Sequence, residues 1–148
     1  MATAAAELIR LRQHYTQACE KWHKVLAHLA HFSEINDQIP SPVVSHDRHR
    51  VTYQWTDVKT FCHFTYAEDT GILIFGFTHS HVDGKESDVV TARLVFDQHG
   101  NVREALDAPG SSWSLTDRTD FDGFFFPRLL EAQQQAFTEK LEHVPTTT

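Results

Sequence analysis

The segment Thr78-His79-Ser80-His81 carries the sharpest chemical signal in the chain. A β-strand projects residues two apart from one face, so His79 and His81 put two imidazoles side by side. Such a pair can begin a transition-metal site, since neutral imidazole is the commonest side-chain metal ligand. If the preceding hairpin turns through Glu68 to Gly71, then Ala67 lies opposite Ile72, Cys62 opposite Phe77 and Thr60 opposite His79. Cys62 is then diagonal to His79, about 7–8 Å away. Cys62, His79 and His81 would supply three zinc ligands, with Asp83 a conceivable fourth. The spacing matches no paired-ligand zinc signature, and two half-exposed histidines beside a free core cysteine are the plainer reading of the same residues. The same register sets His63 opposite Gly76, whose missing side chain leaves room for a small ligand beside the imidazole.

Other chemistry is thinner. His28 and His31 share one face of a predicted helix, where they read as a solvated pair or as metal or pH-sensing groups. Asp120, Asp122 and Glu131 fall at the first, third and twelfth places of a calcium loop, but Phe124, Phe125 and Pro127 spoil its middle. Helix capping accounts for these acids better. The chain has no Gly-x-Ser-x-Gly elbow, phosphate loop, dinucleotide fingerprint or His-Glu-x-x-His, so no catalytic residue is nominated.

These residues must be positioned by a small set of elements. From Ala4 to about Phe32 there is no Gly or Pro and Thr3 is available as an N-cap, which predicts a long helix. Leu8, Tyr15, Trp22 and Leu29 recur every seven residues, with Leu11, Ala18, Val25 and Phe32 between them, as in a coiled-coil seam. At 1.5 Å per residue the helix runs about 40 Å, longer than a typical strand of ~17–20 Å. It should either break or overhang its sheet. In the second case the seam at Leu8, Leu11, Tyr15 and Trp22 is an interface with a second copy of the chain; a single helix seated on a wide sheet is the alternative.

Ser33 to Asp47, with Pro40 and Pro42, reads as a loop. The period then changes to two. Val51, Tyr53 and Trp55 alternate with polar residues, and strands follow at Lys59–Tyr66, Ile72–Val82, Asp88–Phe96 and Val102–Leu106, with a short sixth at Trp113 to Leu115. Ile72 to Phe77 is apolar at both parities, so both faces of that strand need cover. Leu130, Phe137, Leu141 and Val144 mark a last helix with Pro127 in its first turn. The prediction is one α+β domain over 1–148: long N-terminal helix, antiparallel meander of about five strands, C-terminal helix, and a flexible tail at about 145–148.

Composition narrows the function. The 148 residues carry a formal charge of −7, which argues against nucleic acid and suits a protein partner with a basic surface. Glu7 and Arg10 interrupt any signal-like apolar stretch at the N-terminus, and no window has the ~18 apolar residues of a membrane span. Two well-separated cysteines fit reduced thiols, so a cytoplasmic protein is expected. In coarse element order the chain is similar to frataxin-like proteins and, in part, to type III secretion chaperones; neither likeness carries a residue role across. The leading functional reading is a non-catalytic interaction module, such as an adaptor, chaperone, inhibitor or immunity-type protein, acting as a homodimer. The other is a small enzyme or a ligand- or metal-binding domain with its site between helix and sheet, zinc being the one cofactor the residues suggest.

Overall fold

The computed structural model describes residues 3–35, 41–55, 58–67, 70–97, 99–103, 113–115 and 118–142. The expected tail at 145–148 lies outside them. Helix α1 (Ala4–Ile35) is followed by strands β1 (Val43–Val44), β2 (Arg50–Trp55), β3 (Val58–Ala67), β4 (Thr70–Ser80), β5 (Glu86–Phe96), β6 (Asn101–Arg103) and β7 (Trp113–Ser114), then by helix α2 (Arg118–Glu142). Among the described residues these seven strands form one antiparallel sheet in sequence order. The predicted α+β order of helix, meander and helix is therefore the observed one; β1 was hidden in the segment read as a loop.

Thr3 caps α1, its Oγ1 accepting from the Ala6 N–H at 3.1 Å. With no Gly or Pro to interrupt it, the helix continues for 32 residues, about 48 Å. Its buried residues are Ala18, Trp22, Val25, Leu26 and Leu29, so burial begins just before the middle of the helix. Trp22, expected at an interface with a second chain, is instead fully buried in its own. Its ring stacks on Phe64 at 5.8 Å, and the indole N–H donates to the Arg48 carbonyl at 2.7 Å. Arg48 sits at φ 63 in the turn into β2, a conformation unfavourable for a side-chain-bearing residue. That turn is held further by the Asp47 carboxylate, which accepts from the Ser45 hydroxyl at 2.6 Å and the His49 N–H at 3.0 Å.

The β3–β4 register differs from the expected one by two residues. Ala67 pairs with Thr70 rather than Ile72, so Cys62 pairs with Phe75 and Thr60 with Phe77. Gly71 was read as the turn residue; it lies inside β4 opposite Phe96. The reason is packing. A Cβ on Gly71 would lie 2.3 Å from Phe96 Cζ, and that ring is fully buried and cannot swing away.

Both helices cover the same face. On it β3 presents Cys62 and Phe64, β4 presents Leu73, Phe75 and Phe77, and β5 presents Leu94 and Phe96. The register of β5 against β4 slips between Phe75 and Gly76, where Thr91 is the extra residue. This bulge switches the parity of β5, so that Val89 rather than Val90 packs beneath Phe77.

Helix α2 begins nine residues before Pro127, which is therefore interior rather than in the first turn. The proline removes the hydrogen bond to the Gly123 carbonyl. The continuous helix also overrides the twelve-place calcium pattern from Asp120 to Glu131. Phe125, Leu129, Ala132 and Ala136 form the buried stripe of α2; Phe125 meets Phe75 at 5.2 Å, and Phe126 meets Phe32 of α1 at 4.8 Å.

Trp22→Ala should destabilise the protein by about 3–5 kcal/mol, because the cavity and the lost bond to Arg48 coincide. Denaturant unfolding monitored by far-UV circular dichroism measures this directly.

Candidate functional site

The N-terminal half of α1 projects beyond the core. No residue from Ala4 to Gln17 is buried, and Leu8, Ile9 and Tyr15 are 67, 59 and 37% exposed. Leu11 and Tyr15 nevertheless face something: with Tyr66 and Ala67 at the hairpin end of β3 they wall a notch of about 560 Å³, rimmed by Glu7, Arg10 and Arg12. Tyr15 packs edge-on against Tyr66 at 5.6 Å, and its hydroxyl lies 3.4 Å from His49 Nε2. A hydrogen bond with Cys19, followed by burial, pushes the Tyr15 phenol above its ordinary range. Arg10 is tied to Glu7 one turn earlier.

A second cluster sits at the other end of β4. His79 and His81 meet edge to face, ring centroids 4.7 Å apart. His79 Nδ1 lies 3.3 Å from Glu139 Oε1 of α2, and His81 Nε2 lies 2.8 Å from Ser87 Oγ of β5. Cys62 does not join them. It is opposite Phe75 and fully buried, four residues of β4 short of His79, or about 13 Å. Burial drives its thiol well above the ordinary range, so it is an inert core group. Among the described residues no group of three His, Cys, Asp or Glu side chains is placed to hold a metal.

The face of the sheet away from the helices carries its own layer. Phe61, only 2% exposed, lies beside Gly76, where a Cβ would sit 2.0 Å from the Val89 carbonyl oxygen and 2.9 Å from the Phe61 ring. The Arg50 guanidinium stacks 3.9 Å above Phe61 and donates twice to Asp88, at 2.9 and 3.0 Å, while Thr78 donates to the same carboxylate at 3.3 Å. Four strands are thus strapped together by Arg50, Phe61, Thr78 and Asp88. His63 pairs with Ile74 rather than Gly76, and Phe61 takes the space the predicted ligand pocket required. Desolvation, and then Arg50, lower the His63 pKa, and its Nδ1 is buried without a hydrogen-bond partner among the described residues.

The sequence reading missed Arg50, Phe61, Asp88, Ser87 and Glu139. Each acts across strands or from helix to strand, so only the register reveals it. Glu139 had one signal, standing three residues after the buried Ala136 on the same side of α2.

Comparison with protein-family models, curated proteins and solved structures finds no match to this chain. No helix among the described residues is long and apolar enough to cross a membrane.

The hydrogen bonds from Arg50, with the one from Thr78, hold the Asp88 carboxyl below the ordinary range. Its stabilising contribution is therefore complete above the unfolded-state value of about 3.9 and is lost as pH falls through the lower folded value. Asp88→Asn should be less stable than the parent at pH 7, with the gap closing by about pH 2. Urea unfolding of both proteins across that range checks it.

Proposed function

We propose that the protein is a non-catalytic interaction module working as a homodimer, with the projecting half of α1 as its contact surface. One observation carries the reading: Leu8, Leu11 and Tyr15 keep heptad spacing through a stretch of α1 that the chain's own fold leaves exposed at Leu8 and covers only in part at Leu11 and Tyr15. Most helical stability in proteins comes from tertiary packing of an apolar face rather than from propensity. A second copy laid antiparallel across this segment supplies that packing, places Leu8 and Leu11 against their symmetry mates and closes the notch at Tyr66. Trp22 takes no part.

Charge divides the surface into two kinds. Helix α1 carries Arg10, Arg12, Lys21 and Lys24 against Glu7, Glu20 and Glu34, a formal +1, so the rest of the chain carries −8 of the total −7. A further protein partner with a basic surface would therefore be drawn to the chain outside α1 rather than to α1. The two free thiols suit a reducing compartment such as the cytoplasm.

The reading is tested by Leu8→Glu combined with Leu11→Glu. Neither residue is in the core, so circular dichroism and the melting curve of the monomer should be unchanged. Sedimentation velocity should show a dimer for the parent and a monomer for the variant, the affinity falling about a hundredfold or more. A parent that sediments as a monomer at all concentrations, or a variant that still dimerises, contradicts the proposal.

A further inference from the structure

We propose that His63 is an acid-sensitive latch on β1 and β2: its ring is seated where the fold receives the neutral imidazole and offers no acceptor to the charged one. The proposal stands apart from the dimer reading, because His63 lies on the face of the sheet away from both helices, alternating with Cys62 and Phe64 of the core.

Register builds the seat. In the β2–β3 ladder His63 stands directly opposite Arg50, a position at which Cβ atoms are about 4.5–5.5 Å apart. The His63 Nδ1 is buried and has no hydrogen-bond partner among the described residues. A neutral ring carrying its proton on Nε2 puts no N–H into that position. An imidazolium must, since both of its nitrogens are donors, and a buried donor without an acceptor bears the full desolvation of the group. The opposing guanidinium adds like-charge repulsion across the ladder.

Two carboxylates nearby attract the charged ring, and both are already engaged. Asp88 of β5 accepts twice from Arg50 and once from Thr78; Asp47 accepts from the Ser45 hydroxyl and the His49 N–H. His49, in the same turn as Asp47, opposes the charge. The β4 neighbour, Ile74, is apolar, and Arg93 stands one strand further, opposite Ile74. Burial first, then Arg50, outweigh the two carboxylates, so the ring titrates below its ordinary value. A proton on His63 is met by drawing Asp88 or Asp47 off its present donors. The first undoes the Arg50 strap and the second the turn into β2. Either loosens the segment 45–50, whose Arg48 carbonyl receives the Trp22 N–H and whose His49 carbonyl receives the Phe64 N–H at 2.6 Å.

The direction with pH follows. Above the unfolded-state value of about 6.5 His63 is neutral in both states and makes no difference. As pH falls through that value the unfolded chain takes a proton that the folded chain refuses, and stability declines until the lower folded value is reached. Asp47 and Asp88 stay ionised over this window, because their hydrogen bonds hold both below the ordinary carboxylate range.

The test is urea unfolding of the full chain and of His63→Leu from pH 7.5 to 4.5, with NMR titration of the histidine rings and amide exchange at both ends of that range. Below about pH 6.5 the unfolding equilibrium constant of the parent should rise relative to that of the variant by up to about tenfold per pH unit, the limit for one proton. The His63 ring should titrate below about 6.5, and at pH 4.5 the amides of β1 and β2 should lose protection relative to those of β4 in the parent but not in His63→Leu. Parallel pH profiles for the two proteins, a His63 ring that titrates at or above the ordinary value, or unchanged relative protection of β1 and β2 in the parent would each overturn the proposal. The ring titration and the exchange in the parent need no variant, so they decide the case even if His63→Leu folds poorly.

Discussion

The burial of Trp22 is the constraint on which the rest of the molecule depends. It fixes where α1 touches the sheet, stacking on Phe64 and bonding the Arg48 carbonyl at the strained turn into β2. From that point the helix has only so much sheet to rest on. The longest strands have 11 residues, about 36 Å, and the helix has 32, about 48 Å. With Trp22 as anchor and Leu29 still in the core, the excess falls at the N-terminal side, from Ala4 to Gln17. The unburied stretch of α1 is therefore a consequence of a length mismatch and of the anchor's position.

The two faces of the sheet solve the problem of cover differently. One is covered by α1 and α2. Part of the other is covered by side chains of the sheet itself: Phe61 lies against Gly76, and Arg50 spans from β2 over that ring to Asp88 on β5. Ile72 and Ile74, on the same face of β4, stay half-exposed. The bulge at Thr91 joins the two solutions, since switching the parity of β5 puts Val89 under α2 while Val90 and Asp88 turn outward.

Local signals in the sequence were read well where they were redundant. A Gly- and Pro-free run with a capping threonine marked α1, alternation marked β2, and β-rich runs between turn residues marked β3 to β6. Interactions that join distant residues were not legible. Gly71 looks like a turn residue, and only the ring of Phe96 reveals that it serves packing, which moved the hairpin by two residues and took Cys62 away from His79. Heptad spacing made Trp22 equivalent to Leu8 and Tyr15, since spacing alone does not say where a sheet ends. His79 and His81 were placed on one face from strand geometry, whereas their contacts with Glu139 and Ser87 required the placement of α2 and β5.

The central claim is that the first half of α1 is held by a second copy of the chain. Hydrogen–deuterium exchange followed as a function of protein concentration tests it most directly. Amides of the projecting half should be protected at micromolar concentrations and exchange far faster on dilution, while those from Ala18 to Ile35 keep their protection throughout. Rapid exchange of the projecting half at every concentration, or equal protection of both halves at every dilution, would contradict the account.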